Sequence, residues 1–337
     1  MCTWCAYTGA RPAAPVLWES GKRIEGLWSG IFTGMVTLDD AGLHCAKLRG
    51  TTLDWEKRFK LEDFPGTTGL WHSRTGGFGD DDRAHPFTSS DGEVALVSQG
   101  HSGVFAGEPQ KSFIRYGEML YEKSWRFPSA KTEDPSGKYP LLFGKFNVHV
   151  SEIVCNTIAY FFAQGMAPLD AVQKALSELP EEASSIVIFR KHPGKIFYAT
   201  TNQSVAAARD RDGIVLSVSS AAFPDRRFHQ LPVNSCGMIS PDECVIRKLS
   251  DRYVVDETIP EGLERQFLQT LARIQPANLA QICDQGLKPL FPKGVMQCCA
   301  ISTYRTMENL LREGRIEMET SLVPEYNWMR STFRIAE

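Results

Sequence analysis

Several features that would assign this sequence to a special class of protein are missing. No apolar run approaches the roughly 20 residues that a membrane-spanning helix needs. The N-terminus has no basic stretch followed by an apolar one, so we expect no signal peptide. Positive charge is not in surplus either: 37 Lys and Arg stand against 40 Asp and Glu, a net charge of −3. This balance favours neither nucleic acid nor an anionic membrane as the main partner, and we expect a cytoplasmic protein.

The cysteines lack the pattern of a disulfide framework. There are nine of them, an odd number scattered along the chain, which indicates reduced thiols. Cys2 and Cys5 form a C-x-x-C, and Asp80-Asp81-Asp82 could be a metal ladder. No second cysteine pair has zinc-binding spacing, and an acidic triplet in a loop is more often a solvated turn. We therefore expect no metal and no other cofactor.

The pattern of apolar residues indicates an α+β protein with a layered architecture. Residues 15–60 alternate short apolar runs with turns, and the Asp-Asp-Ala-Gly turn at 39–42 predicts a hairpin. The 45 residues after 98 are rich in Gly, Pro, Lys and Ser, which predicts a long excursion or lid. Helical periodicity follows, with Ser151 as the N-cap and Gly165 as the end of the first helix, and β-rich runs come next.

After about Asp256 the order of elements is typical of a winged-helix domain. Three helix-periodic segments precede two apparent strands joined by a Pro-Glu-Tyr-Asn-Trp turn. From Asp251 to Glu337 the chain has 10 Lys or Arg and 12 Asp or Glu, a balance that does not favour DNA binding. We predict that this module packs against the rest of the chain or a second subunit. The residues expected to face inward are Leu263, Phe267, Leu271, Leu310 and Leu311.

Cys2 is the first candidate for catalysis. The residue after Met1 is small, so we expect Met1 to be removed and Cys2 to become the N-terminus. A free α-amine titrates near pH 7.7–8, so this one residue would carry both a base and a nucleophile. The amine, directly or through water, takes the thiol proton, and the thiolate attacks a carbonyl.

Downstream motifs support this interpretation of Cys2. The sequence has His72-Ser73-Arg74-Thr75 with Gly79 close behind, then Ala84-His85-Pro86, and then a β-rich run that ends in Gln99-Gly100. Together with Cys2, these elements resemble the class II glutamine amidotransferase domain of the N-terminal-nucleophile hydrolases. The resemblance covers roughly residues 2–240. The order and spacing of the motifs are specific, although each motif alone is not.

The resemblance implies a fold and a site. The fold would be a four-layer αββα sandwich over residues 2–250, followed by a winged-helix-like domain at 257–337. Arg74 would grip a substrate carboxylate with its planar fork, although a surface ion pair is an alternative for this residue. The Gly100 N–H and the Gln99 amide would form the oxyanion hole. Further residues are expected to line the substrate site: His72, Gly77, His85 and His101.

The sequence also departs from the family pattern. The Thr of the family's Ala-Thr-x-Gly is absent, because Gly76-Gly77-Phe78-Gly79 stands there, and Gln99 replaces the family's Asn. The Asp that holds a substrate α-amine aligns with Val150, which cannot pair with an ammonium. A substrate with a blocked or missing α-amine, such as a γ-glutamyl derivative, fits these losses.

Two hypotheses follow. The first is an amidohydrolase that uses Cys2 to hydrolyse glutamine or a γ-glutamyl amide through a thioester and releases ammonia or an amine. Its partners would be the small amide, an ammonia-accepting partner subunit and further copies of itself in a homo-oligomer. The second is a regulatory sensor of a small amide, with a degenerate amidotransferase fold and a winged-helix output domain. The N-terminal nucleophile discriminates them, since a pure sensor does not need one.

Overall fold

Two antiparallel sheets form the centre of the molecule. The computed structural model describes residues 2–28, 30–75, 79–101, 103, 109–133, 137 and 139–337. The first sheet has seven strands in the order β13-β11-β12-β1-β4-β2-β3. Its strands are β1 (Thr3–Gly9), β2 (Phe32–Asp39), β3 (Gly42–Arg49), β4 (Thr68–Arg74), β11 (Ala206–Asp210), β12 (Gly213–Ser217) and β13 (His229–Gln230).

The second sheet has six strands in the order β15-β14-β10-β9-β6-β5. A separate short pair consists of β7 (Leu141–Leu142) and β8 (Phe146–Asn147). The strands of the second sheet are β5 (Phe87–Thr88), β6 (Val94–His101), β9 (Glu182–Phe189), β10 (Ile196–Thr200), β14 (Ser235–Ile239) and β15 (Cys244–Lys248).

Helices cover the outer face of each sheet. On the first sheet, α1 (Ala13–Ile24) packs against β1 and β4, and α2 (Thr52–Glu56) lies near β2. On the second sheet, α4 (Val150–Ala163) packs against β6 and α5 (Pro168–Glu178) against β10 and β14, with α3 (Pro109–Glu122) beside α4. The layers are therefore helix, sheet, sheet, helix, as the resemblance predicts.

Side-chain alternation on the second sheet divides the hydrophobic core in two. Ala95 and Val97 of β6 face the first sheet and join the core that contains Trp4 and α1. Val94 and Leu96, on the other face of the same strand, pack with α4 and α5. Because successive residues of a strand point to opposite faces, a strand buried on both faces becomes apolar throughout, as β6 is over these positions.

The C-terminal segment contributes to the first of these cores. It contains α6 (Leu263–Ile274), α7 (Leu279–Ile282), α8 (Cys299–Arg312), β16 (Ile316–Val323) and β17 (Trp328–Ile335). Leu263, Phe267, Leu271 and Leu310 are buried in the cluster that contains Trp4, and Leu311 is partly buried against it. The backbone N–H of Ser331 also donates to the Gly26 carbonyl at 2.8 Å. The inward orientation predicted for these leucines and Phe267 is therefore present.

Two helices lie where the sequence analysis assigned none, and one local prediction was wrong. The apolar run near residue 15 belongs to α1, and the excursion after 98 contains the 14-residue helix α3. The N-cap of α4 is His149 instead of Ser151, because the His149 ring nitrogen Nδ1 accepts from the Ser151 N–H at 3.2 Å. The 39–42 hairpin is confirmed by the pairing of β2 with β3.

Among the described residues, no helix is both long and apolar enough to span a membrane.

Candidate active site

Cys2 lies immediately before β1, between β4 and β12. Trp4 points toward the second sheet, since its indole N–H donates to the Ser184 Oγ of β9 at 3.3 Å. Residues two apart on an extended strand share a face, so Cys2 is directed into the space between the sheets. There its Sγ lies 3.9 Å from the Thr75 Oγ1 that follows β4.

The environment of Cys2 favours the thiolate. Burial by itself raises the pKa, but a hydrogen bond from His72 and the charge of that ring lower it, as do the N-terminal charge and the Thr75 backbone. The net effect lowers the pKa of Cys2 to about 6. Burial without such partners instead raises the pKa of the Cys5 thiol on β1. Cys2 is therefore mostly ionised at neutral pH, which makes it a nucleophile.

His72 on β4 is fully buried and bridges the two sheets. Its Nε2 donates to the Ser98 carbonyl of β6 at 3.0 Å, because a carbonyl oxygen can only accept. No described residue occupies Nδ1 with ordinary hydrogen-bond geometry. Nδ1 is therefore the nitrogen that can take the thiol proton and then donate it back in a hydrogen bond to the Cys2 thiolate, as the lowered pKa of Cys2 requires.

His85 lies behind His72, where their ring centroids are 4.0 Å apart. Neither of its ring nitrogens has a partner among the described residues. Burial, with the nearby charges of His72, His149 and Arg74, lowers the pKa of His85 well below its usual range. The neutral ring of His85 therefore packs against the His72 ring.

Arg74 ends β4 and is buried, with 6% of its surface exposed. Its guanidinium donates to the Arg83 carbonyl at 2.8 Å and to the Tyr139 hydroxyl. It also lies over the Phe32 ring, 4.7 Å from the centroid. No described carboxylate forms an ion pair with Arg74, so the surface ion-pair alternative is wrong. The charge is held by neutral groups, which suits a cation that meets a negatively charged ligand.

Gln99 and Gly100 lie on β6, opposite Ser184 and Ala183 of β9. The Gln99 Nε2 donates to the Gln203 Oε1 at 3.3 Å. A Cβ on Gly100 would come within 2.5 Å of the Ala183 Cβ and 2.6 Å of the Glu182 carbonyl oxygen. Gly100 is therefore required for close approach of β6 to β9, which sets where its own backbone N–H lies.

Sequence analysis did not find the polar residues after β10 that support Gln99. Asn202 donates through its Nδ2 to the Glu182 carboxylate at 2.6 Å and to the Gln297 carbonyl at 2.8 Å. Gln203 in turn donates to Asn202 at 3.3 Å. In this buried network Asn202 donates to Glu182 and accepts from Gln203, and Gln203 accepts from Gln99. These bonds fix the orientation of the Gln99 amide.

Because Val150 stands where the family has Asp, we expected no carboxylate to pair with a substrate α-ammonium, yet carboxylates lie near the site. Glu152 turns away, since it accepts from the Ser129 backbone N–H at 3.1 Å and from its hydroxyl. Glu181, just before β9, is the new candidate: burial and then the negative charge of Cys2 raise its pKa to about 7. No described residue donates a hydrogen bond to its carboxylate. Val150 itself opens α4 and packs against the second core.

Two predicted residues cannot be compared with this geometry. Gly77 lies outside the described residues, as does the side chain of His101 on β6.

Of the residues considered as metal ligands, Asp80 and Asp82 pair with Lys131 at 2.8 and 3.1 Å. Cys5 points away from Cys2, toward α1, where its Sγ lies 3.6 Å from the Leu17 carbonyl. In the described part of the chain no group of three or more His, Cys, Asp or Glu could hold a metal ion.

Known proteins resemble this chain in sequence and in fold. It is 26% identical over 272 residues to glutamine–fructose-6-phosphate aminotransferase [isomerizing] of Gluconobacter oxydans, covering 78% of this chain and 40% of that protein. The protein of the same name from Mesorhizobium japonicum is 27% identical, covering 66% of this chain and 32% of its own length. The chain thus spans well under half of these curated relatives. No family model matches it.

The fold of the chain is that of a solved amidotransferase. Glutamine phosphoribosylpyrophosphate amidotransferase of B. subtilis, solved with ADP and GMP, superimposes with a TM-score of 0.59 at 13% identity. The alignment covers 95% of this chain and 66% of that one. The sequence relatives and the solved structure are thus named as glutamine-dependent aminotransferases or amidotransferases, and the chain shares the fold of the latter.

Proposed function

We propose that this chain hydrolyses the side-chain amide of glutamine or a γ-glutamyl amide, with Cys2 as the nucleophile. One observation carries the proposal: a thiol whose pKa is lowered to about 6 lies at the start of the central strand β1 and faces the second sheet. The sequence relatives are named for glutamine as a substrate, which supports an amide of this class.

In the first step the Cys2 thiolate attacks the amide carbonyl. The carbonyl π electrons move to oxygen, where the Gln99 amide and the Gly100 N–H would stabilise the negative charge. Collapse of this intermediate breaks the C–N bond, and the nitrogen leaves as ammonia or an amine after taking a proton. The products of this step are a thioester on Cys2 and the free amine.

In the second step water attacks the thioester. The C–S bond breaks, the thiolate of Cys2 is restored, and glutamate or its derivative leaves as the carboxylate. The α-amine of Cys2, exposed by loss of Met1, is the proposed proton carrier, since its ordinary pKa near 7.7–8 suits proton exchange at neutral pH. As the ammonium it gives its proton to the leaving nitrogen in the first step, and as the free amine it takes a proton from the attacking water in the second; the proton of the new carboxyl group passes to the released ammonia or amine. His72, donating through Nδ1–H, would hold the thiolate in place.

Substrate recognition is assigned to Arg74 and Glu181. Arg74 would pair with the substrate α-carboxylate, because its guanidinium is buried without an anionic partner among the described residues. Glu181 would face an α-ammonium. A carboxyl group with a pKa of about 7 is only partly charged at neutral pH, which agrees with tolerance of substrates that lack this ammonium.

Residues 257–337 would brace the sandwich as a winged-helix-like module, in a homo-oligomeric protein. The leucines that this module buries against the first core support a bracing role. Ammonia would be released to water or passed to an ammonia-accepting partner subunit.

The test is intact-mass analysis after incubation with 6-diazo-5-oxonorleucine, an electrophilic glutamine analogue. We expect protein without Met1 that gains one adduct, mapped by peptide sequencing to Cys2. Cys2→Ala should fold normally, remain unlabelled and release no ammonia from glutamine. Cys45→Ala is the matched control, because it removes an exposed thiol and should leave labelling unchanged. Retention of Met1, or labelling only at other thiols, contradicts the proposal.

A further inference from the structure

A cavity of about 990 Å³ lies between the first sheet and the C-terminal helix α8. It is separate from the space between the sheets that Cys2 faces. Its walls come from α1, from β11, from the segment between β12 and β13, and from α8 with β16. Cavities of this size hold small organic molecules in many proteins.

The charge of the cavity wall is opposite to that of the chain. The whole sequence has a net charge of −3, yet the wall contains six basic side chains and two acidic ones. The basic residues are Lys22, Arg23, Arg226, Arg227, Arg305 and Arg312, and the acidic residues are Asp225 and Glu308. A concave surface lined by one sign of charge concentrates ligands of the other sign.

Some of these cations already have partners. Lys22 pairs with Glu56 at 3.1 Å, Arg23 donates to the Ala222 carbonyl at 3.2 Å, and Arg312 donates to the Asn309 side chain at 3.0 Å. Arg227 and Arg305 form no ion pair with any residue that the structure describes. These two guanidinium groups, one from the segment between β12 and β13 and one from α8, are available to an anion.

Glu308, one of the two acidic residues in the wall, does not neutralise them. The Glu308 carboxylate accepts from the Ser219 hydroxyl at 2.6 Å and from the Ser220 N–H at 2.7 Å. These bonds fasten α8 to the residues that follow β12. Burial also raises the pKa of Glu308, which reduces its negative charge. Asp225 is then the remaining carboxylate against six basic side chains, so the wall stays positive.

The contact between Glu308 and the residues after β12 also brings the cavity close to the Cys2 end of β1. Val218, in the cavity wall, donates its N–H to the Trp4 carbonyl at 3.4 Å, two residues from Cys2. Tyr304 lies one helical turn before Glu308, borders the cavity and is 2% exposed. Its hydroxyl has no hydrogen-bond partner among the described residues. Burial first, then the charges of Glu308 and Cys2, raise the pKa of Tyr304, so this side chain is within electrostatic range of the thiol.

We propose that this cavity is a binding site for a small ligand with a phosphomonoester group, held by Arg227 and Arg305 and separated from Cys2 by Tyr304. Guanidinium forks match the oxygens of a phosphate group. The remaining volume accommodates the organic part of the ligand, such as a sugar. The site is additional to the amide-hydrolysing centre and does not depend on the proposed function.

The test is isothermal titration calorimetry of the full chain with glucose 6-phosphate as the probe. Glucose, inorganic phosphate and citrate are the comparison ligands. We expect saturable binding of glucose 6-phosphate, weaker binding of inorganic phosphate and none of glucose. The double variant Arg227→Gln with Arg305→Gln should weaken binding by about tenfold or more, the effect of losing a charge-assisted hydrogen bond.

Arg334→Gln is the matched control, because Arg334 is exposed on β17, pairs with Glu319 at 3.0 Å and lies outside the cavity wall. It should bind the probe as the unaltered chain does. Equal melting temperatures establish that the double variant is folded. Absence of binding up to about 10 mM, binding of citrate but no phosphate compound, or full binding by the double variant overturns the proposal. Titration of Cys2→Ala separates this result from the fate of the proposed hydrolysis.

Discussion

His72 of the first sheet donates its Nε2 proton to the Ser98 carbonyl of the second sheet at 3.0 Å, directly before Gln99 and Gly100. This bond sets the tautomer of the ring next to Cys2 and ties the nucleophile to the proposed oxyanion hole. The two parts of the site therefore keep a fixed distance, as an acyl transfer needs.

Replacement of His72 by Gln should raise the pKa of Cys2. The Gln amide can still donate to the Ser98 carbonyl, but it supplies neither a ring charge nor a basic nitrogen to the thiol. The midpoint of the pH profile for Cys2 alkylation by iodoacetamide, followed by peptide mapping, should therefore move from about 6 toward the ordinary range of a thiol. His44→Gln is the control, since His44 pairs with Asp39 in the surface hairpin. An unchanged midpoint in His72→Gln would show that the N-terminal charge and the Thr75 backbone lower the pKa without His72.

The elements that could be predicted from sequence are those whose signal is local. The β2–β3 hairpin follows from its turn residues and the flanking apolar runs. Helix α1 was missed because Gly21 interrupts its pattern, and the reason lies elsewhere in the chain: a Cβ there would come within 2.3 Å of the Trp71 ring on β4. Tertiary packing therefore places a glycine inside a helix, which no local rule anticipates.

In the candidate site, too, some residues could be recognised from local motifs and others are brought there by folding. Cys2, His72, Arg74, Gln99 and Gly100 belong to short motifs whose order could be recognised. The partner of Gln99 is Gln203, 104 residues further along the chain, and no spacing rule connects them. A second group of residues was missed for the same reason, since folding alone brings its members to Cys2 or to the cavity: Glu181, Tyr304 and Arg305.

Arg74→Lys should raise KM for glutamine by roughly tenfold and leave kcat nearly unchanged, because a single ammonium cannot form the two parallel bonds of a guanidinium with a carboxylate. Steady-state ammonia release measures both constants. Arg58→Lys is a matched control on the exposed surface, where Arg58 pairs with Asp81 at 3.4 Å. A fall in kcat with constant KM in Arg74→Lys would instead assign this residue to the chemical step.

Discrimination between glutamine and N-acetylglutamine should depend on pH through Glu181. Burial and the charge of Cys2 raise the Glu181 pKa to about 7, so this carboxyl is neutral below pH 7 and ionised above it. The ratio of kcat/KM for glutamine to that for N-acetylglutamine should rise between pH 6 and pH 8 by up to roughly tenfold, the effect of one charge-assisted contact. Titration of Cys2 affects both substrates alike and cancels in the ratio.

Glu181→Gln should remove this pH dependence, because an amide does not ionise in the range. Glu178→Gln is the control: Glu178 lies near the end of α5 and accepts from the Tyr116 hydroxyl at 2.6 Å. A ratio that already stays constant with pH in the unaltered chain would remove Glu181 from substrate recognition.

Residues 257–337 should not bind duplex DNA with sub-micromolar affinity. Their arginines are largely occupied within the protein: Arg315 pairs with Glu264 at 2.6 Å and with Glu313 at 3.2 Å, and Arg334 pairs with Glu319. Binding to phosphate backbones requires several unopposed cations whose contacts release counterions. The measurement is fluorescence anisotropy of a mixed-sequence duplex titrated with the full chain at about 50 mM salt, where nonspecific contacts are strongest. Sub-micromolar binding with a steep salt dependence, unaffected by glucose 6-phosphate, would contradict this expectation and favour the sensor hypothesis over an enzyme.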